Sequence, residues 1–294
     1  MIIIRYTPII TPLEFKGYQI GVLRLDLIHP EISGNKWFKL HLNLEAARQQ
    51  KARRIITFGG AFSNHIAACA TACKLAGFES LAIVRGEKTD PINHTLKHAM
   101  REGMQLEFVS REQYRHKTES DFIRELLQRF PDSYIIPEGG DNALGVEGCR
   151  AILGDHSAAY DHIFCAVGTG TTFRGLEQSK TPDQWLSGIP VLKGFDGYTG
   201  LKANYKTNYH FGGYASHTRE LLVFKEWFEM QYRIPLDYVY TAKLCYAVFD
   251  LIQKNEIETG TRILIIHSGG LQGNAGYETR YNLKPSRQLI DAQG

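Results

Sequence analysis

Short apolar runs alternate with helical patterns along almost the whole of this chain, and that alternation most narrows the fold it can adopt. Arg54-Ile55-Ile56-Thr57-Phe58, Leu81 to Val84, Gln105 to Val109 and Tyr134 to Ile136 read as buried strands. Between them lie helical patterns that begin near Ser63, run from Asn93 to Arg101, and run from Asp121 to Phe130. Parallel strands need a crossover to return the chain, so this pattern predicts parallel sheets with helices on their faces. A second series adds a helix from about Leu144 to Tyr160, a strand over His162–Val167 and a strand with its flanks over Trp185–Phe195. Helices from Thr218 to Tyr232 and Thr241 to Asn255 and a strand over Arg262–His267 complete it. Ahead of both series, Ile20 to Asp26 alternates apolar and polar residues as a half-buried strand does. It leads through Pro30 and Gly34 into a helix from about Asn35 to Gln50, with Leu40, Leu44 and Ala47 on one side. Tyr198 to Tyr214 is polar, aromatic and glycine-rich, as a loop at an active site or between lobes is.

With 294 residues, 43% hydrophobic and 22% charged, the chain is long enough for two lobes, each with its own core. The net charge of +3, with no Lys/Arg run interleaved with aromatics, gives no reason to expect nucleic acid. Met1 to Ile10 is apolar but interrupted by Arg5, Thr7 and Pro8, too short for a membrane span or signal peptide, so a cytoplasmic protein is expected. The five cysteines, at 69, 73, 149, 165 and 245, lack C-x-x-C spacing, and the 11 histidines fall into no metal-binding motif. Neither a disulfide framework nor a metal site is expected.

Chemistry concentrates in a few segments. Ser33-Gly34-Asn35-Lys36-Trp37-Phe38-Lys39 puts two lysines three residues apart at a helix start. A lysine there can form a Schiff base with an aldehyde if dry surroundings keep its amine neutral near pH 7, which makes Lys36 the candidate cofactor lysine. Three loops follow strands: Gly59-Gly60-Ala61-Phe62-Ser63-Asn64-His65, Gly168-Thr169-Gly170-Thr171-Thr172, and His267-Ser268-Gly269-Gly270. Open parallel sheets bind ligands at the carboxyl ends of their strands, so such loops can converge. Gly168 to Thr172 combines glycine-freed amides, a helix start and three hydroxyls, the makings of a phosphate cup. It has neither the G-K-[ST] ending of a P-loop nor G-x-G-x-x-G spacing. Taken singly, each loop is also an ordinary turn, and Ser63 an ordinary helix cap.

As an ordered set these motifs, with Gly212-Gly213-Tyr214 and Val239-Tyr240 plus Lys243, resemble the fold-type II pyridoxal-phosphate (PLP) enzymes of the tryptophan synthase β superfamily. Within it, the chain is similar to the branch of 1-aminocyclopropane-1-carboxylate (ACC) deaminase and D-cysteine desulfhydrase. The resemblance implies an α/β protein of two open twisted parallel-sheet lobes, each three-layered αβα. A large PLP-binding lobe would comprise 1–47 plus 144–294, and a smaller inserted lobe 48–143. It implies a homodimer, a small amino acid as substrate, and Lys36 as the Schiff-base lysine that later moves protons. Lys39 with Gly168, Thr169, Gly170, Thr171 and Thr172 would hold the cofactor phosphate. Asn64 would bond the ring 3'-oxygen, and Ser268 would meet the ring nitrogen. Ser63, Asn64 and the backbone near His65 would receive the substrate, with Tyr214 and Tyr240 over the reacting carbons.

ACC deaminases carry glutamate after the second tyrosine and leucine before the final Gly-Gly, where this chain has Thr241 and Ser268, as on the desulfhydrase side. Phe38 stands where the family usually has arginine. The expected reaction is release of a 2-oxo acid and ammonia, by loss of a β-substituent or by opening of a strained ring. Two other readings stay open: another PLP enzyme such as a racemase or dehydratase, and a protein that binds PLP without turnover.

Overall fold

Strand alternation sets the layers in this computed structural model, which describes residues 4–88, 91–195, 197 and 204–283. The chain begins with a hairpin, β1 (Ile10–Phe15) and β2 (Tyr18–Arg24), followed by α1 (Asn35–Gln49). Next come β3 (Arg54–Gly60), α2 (Asn64–Ala76), β4 (Glu79–Arg85), α3 (His94–Arg101) and β5 (Gln105–Val109). Helices α4 (Arg111–Arg115) and α5 (Ser120–Arg129), strand β6 (Ser133–Ile136) and helix α6 (Ala143–Arg150) lead to β7 (His162–Val167). The remainder is α7 (Thr171–Ser179), β8 (Trp185–Pro190), β9 (Asn204–Tyr205), α8 (Arg219–Tyr232), α9 (Thr241–Gln253), β10 (Ile263–His267) and α10 (Asn274–Tyr281).

Two sheets result, a six-stranded one in the order β1-β2-β10-β7-β8-β9 and a four-stranded one in the order β5-β4-β3-β6. Both faces of each are covered. Along β10, Ile263 and Ile265 pack with α8 and α9, while Leu264 and Ile266 pack on the other side with Phe173 and Leu176 of α7. Along β4, Ala82 and Val84 face α2, whereas Leu81 and Ile83 face Tyr114 and Leu126. The two-residue period of a strand thus feeds two cores at once, the mark of an αβα sandwich. Helix α1 joins the layers: Trp37, Leu40, Leu44 and Ala47 enter the small sheet's core, and Phe38 enters the large sheet's core against Tyr6. The residue that replaces the family's arginine is therefore a packing residue.

Several expectations need correction. Tyr18–Arg24 is not half-buried: β1 and β10 flank it, and Ile20 to Leu23 are buried on both faces. The strand also stops at Arg24, and a 3-10 turn over Leu25–Leu27 carries Asp26 into an ion pair. The large sheet is not wholly parallel, because β1 pairs antiparallel with β2. Helix α6 ends at Arg150 rather than near Tyr160. Its last amides switch to i→i−3 bonds, Gly154 is fully extended, and Gln184 ties down the carbonyls of Ser157 and Tyr160, so Ile152 and Leu153 reach the core from a turn. Within the expected 198–214 loop, 198–203 lies outside the described residues, and the rest holds β9 and a 3-10 turn over Thr207–Tyr209.

Candidate active site

The loops at the carboxyl ends of β3, β7 and β10 meet the start of α1. Gly34 makes the junction possible: its φ is +69°, and a Cβ there would overlap the carbonyl oxygen of Ser268. That carbonyl accepts from Asn35 N at 3.2 Å, joining the end of β10 to the first turn of α1.

Lys36 projects from that turn. Its Nζ donates to Asn35 Oδ1 at 2.6 Å, and Asn35 Nδ2 donates to Thr172 Oγ1 at 2.8 Å, so a relay of side chains links the lysine to the glycine turn before α7. Burial, and then the positive charge of Lys39, push the Lys36 amine down to about 7. It is therefore substantially neutral and nucleophilic near neutral pH. Burial likewise lowers Lys39, which is 6% exposed and has no ion pair among the described residues.

An anion would relieve that cost. Helix α7 starts at the turn after β7, and its first amides have no side-chain cap. Thr169 and Thr171 share a hydrogen bond of 2.9 Å, and Asp141 accepts from Thr171 Oγ1 at 2.8 Å and pairs with Arg174. Lysine, bare helix start and hydroxyls form a cradle for an anionic group.

The β3 loop supplies the opposite wall. Ser63 Oγ accepts from Ile66 N at 3.2 Å as the cap of α2, so the bland reading of this serine holds alongside any other role. Asn64 Oδ1 accepts from Gln272 Nε2 at 2.9 Å, which turns the Asn64 amide N–H groups toward other partners. His65 is buried, and its Nε2 lies 2.9 Å from Thr57 Oγ1. Since that hydroxyl donates to Ile136 O, the imidazole must donate through Nε2 and keep Nδ1 as an acceptor, which has no partner among the described residues. Burial, with the charges of Lys36 and Lys39, pushes His65 down to about 3 and so keeps it neutral.

At the mouth, Tyr214 and Tyr240 stand edge to face with ring centroids 6.2 Å apart. Desolvation raises the Tyr240 phenol and, in the same direction, that of Tyr214, although nearly half of the Tyr214 residue is exposed, so each stays protonated. Tyr240 also abuts Gly168, where an added Cβ would lie 3.1 Å from its ring. Asn64, Tyr214, Asp237 and Gly270 line a small cleft. A cavity of about 300 Å³ on another face of α1, lined by Tyr6, Trp37, Phe38 and His41, holds none of these groups.

Contacts join many of the residues named from the sequence: Lys36 reaches Thr172 through Asn35, Gly140 lies against Lys39 and His65, Gly139 against Thr169, Gly270 against Asn64, and Gly168 against Tyr240. Ser268 is 7% exposed, and its hydroxyl has no partner among the described residues. Four contributors had no assigned role from sequence: Asn35, Gln272, Asp237 and Lys243. Asp237 accepts from the amides of Val239, Tyr240 and Thr241 and from the Thr241 hydroxyl, fixing the start of α9 beneath Tyr240. An Asp four residues ahead of a helical Thr is a capping signal that could have been read.

A family model described as pyridoxal-phosphate dependent enzyme matches residues 2–182. A putative 1-aminocyclopropane-1-carboxylate deaminase of Pyrococcus furiosus is 30% identical over 93% of this chain and 91% of its own length. A mitochondrial bifunctional D-cysteine desulfhydrase/1-aminocyclopropane-1-carboxylate deaminase of Arabidopsis thaliana is 29% identical, covering 87% of this chain and 73% of that protein. Among solved structures, an ACC deaminase homologue superposes with a TM-score of 0.83 at 24% identity, over 95% of this chain and 93% of the other.

Proposed function

The chain belongs to the pyridoxal-phosphate-dependent enzymes, and from that premise we propose that it is a lyase or deaminase of a small amino acid, of the D-cysteine or ACC type, releasing a 2-oxo acid and ammonia. The observation that carries this reading is a pair of amines, partly buried Lys36 near neutrality and buried Lys39 with no ion pair among the described residues, the first linked through Asn35 to Thr172 at the start of α7.

These residues fit the cofactor. Lys36 would hold its aldehyde, and Lys39 with Gly168, Thr169, Gly170, Thr171 and Thr172 its phosphate. Asn64, oriented by Gln272, would offer an N–H to the ring oxygen, and the Ser268 hydroxyl, without a partner among the described residues, would be available to the ring nitrogen. When bound, the cofactor supplies a conjugated ring that accepts the electron pair left at the substrate carbon.

The chain's own part follows from its protonation states. A neutral Lys36 amine can take a proton from the substrate carbon, and the phenols of Tyr214 and Tyr240, held protonated, act as donors over the same centre. Ser63 and Asn64, with the amide of His65, would bind the substrate carboxylate at the start of α2, where the helix dipole favours an anion.

Position 241 favours elimination over ring opening. ACC deaminases carry a glutamate there, whereas Thr241 is fully buried with its hydroxyl committed to Asp237. Side-by-side assay of 2-oxo acid release from D-cysteine, D-serine and ACC tests this: D-cysteine should be the best substrate, and turnover of ACC alone would overturn the preference. Inactivity on all three would leave a protein that only binds the cofactor.

The lobe division at about 48 and 143, a homodimer and a cytoplasmic location belong to the same reading. No helix among the described residues is long and apolar enough to cross a membrane. Sedimentation would test the dimer.

A further inference from the structure

Tyr214 is nearly half exposed, at 47%, so core packing does not hold its ring in place. Its position must come from the backbone beneath it, and that backbone is unusual. Phe211, Gly212, Gly213 and Ala215 have φ of +51°, +95°, +113° and +53°. Left-handed φ is unfavourable for Phe and Ala, and a run of such residues persists only where the surroundings impose it.

Two side chains from outside this turn bond to its carbonyls: Tyr281 Oη donates to Ala215 O at 2.8 Å, beyond Tyr214, and Lys243 takes the segment before it. Lys243, fully buried in α9, donates from Nζ to His210 O at 2.9 Å and to Gly213 O at 2.7 Å. The same two carbonyls accept the turn's own bonds, from Gly213 N at 3.0 Å and Ser216 N at 3.2 Å. Lys243 makes no ion pair among the described residues; its donors go to the turn instead of a carboxylate. An uncompensated buried ammonium is costly, and an apolar side chain would serve the core better. Lys243 also lies one helical turn beyond Tyr240, so the first turns of α9 carry one tyrosine directly and govern the other through the ammonium.

We propose that Lys243 is a positioning residue for the reaction: by gripping the carbonyls of His210 and Gly213 it fixes the 210–215 turn and so holds Tyr214 against Tyr240 over the substrate. This rests on the reading that both tyrosines face the reacting amino acid. The grip itself is independent of that reading.

The test uses the PLP-loaded enzyme with Lys243→Met, Lys243→Gln, Tyr214→Ala and the double variant Lys243→Met/Tyr214→Ala. Amide hydrogen exchange should accelerate at least tenfold in peptides covering 210–216 in Lys243→Met and less in Lys243→Gln, while α7 and β10 keep their protection. kcat on the best substrate should fall at least tenfold in Lys243→Met with the PLP absorbance unchanged. In the Tyr214→Ala background the same substitution should cost less than threefold, because its route of action is already gone. Unchanged exchange at 210–216, equal penalties in both backgrounds, or failure of both Lys243 variants to fold would each overturn the proposal. If exchange rises but Tyr214→Ala is itself fully active, the grip stands and the role of Tyr214 is what fails.

Discussion

Asp26→Asn should expose the electrostatic support beneath the site. Asp26 is held by Arg24, through contacts of 2.9 and 2.6 Å, and by His267 Nδ1 at 3.1 Å, and the His267 and Asp26 side chains are 0% and 1% exposed. His267 Nε2 donates to Pro235 O at 2.7 Å, so Nδ1 can satisfy the carboxylate at 3.1 Å only as imidazolium, at the expense of the longer 3.4 Å contact from Gly269 N. Burial alone would raise Asp26, but the charge and hydrogen bond of His267, with Arg24, outweigh it and hold the carboxyl well below its usual range. Burial would lower His267, yet Asp26 holds it above its ordinary value. The depressed carboxyl contributes stability above its unfolded value of 3.8, and this is lost as pH falls through the lower folded value. The raised imidazole contributes fully below 6.5, and this is lost as pH rises through the higher folded value. Between those limits both contribute. Removing one partner of a buried pair costs about 3–5 kcal/mol. At about 2 °C per kcal/mol for a chain this long, Tm at pH 6 should drop by roughly 6–10 °C. Thermal melts followed by circular dichroism from pH 5 to 9 measure this, and the wild-type decline above neutrality should flatten in the variant. A loss below about 2 °C at pH 6 with an unchanged pH slope would refute the reasoning.

Three further outcomes follow from the site. Lys39→Met removes a charge-assisted contact worth about 1.5–3 kcal/mol, so the Kd for pyridoxal phosphate should rise roughly 10- to 150-fold by fluorescence titration. With the Lys36 amine at about 7, the rate of cofactor capture by the cofactor-free protein should fall as pH drops below that value, because the protonated amine cannot attack; stopped-flow absorbance would show it. Gly34→Ala, strained by φ +69° and obstructed by Ser268, should abolish cofactor binding before it unfolds the protein, as read by absorbance against the thermal melt.

Much of this was legible in the chain because buried strands have strong local signatures. Ile263 to Ile266 alternate between two cores, and Ser63, Gly34 and the 168–172 turn announce themselves by residue type. What escaped depends on distant partners. Nothing local says that Gln272 orients Asn64, that Asn35 bridges Lys36 to Thr172, or that Lys243 grips a turn thirty residues back. The end of α6 is hidden in the sequence because Ile152 and Leu153 keep an apolar pattern after the helix has given way to a turn at Ala151. Strand β1 was missed because Pro12 and Glu14 interrupt its apolar residues, which an edge strand tolerates.

Borohydride reduction of the yellow protein, followed by peptide mass mapping, tests the central claim most directly. The account predicts one phosphopyridoxyl group, on Lys36, and none on a Lys36→Ala protein. Label on Lys39 or Lys243, or undiminished labelling of the variant, would contradict it.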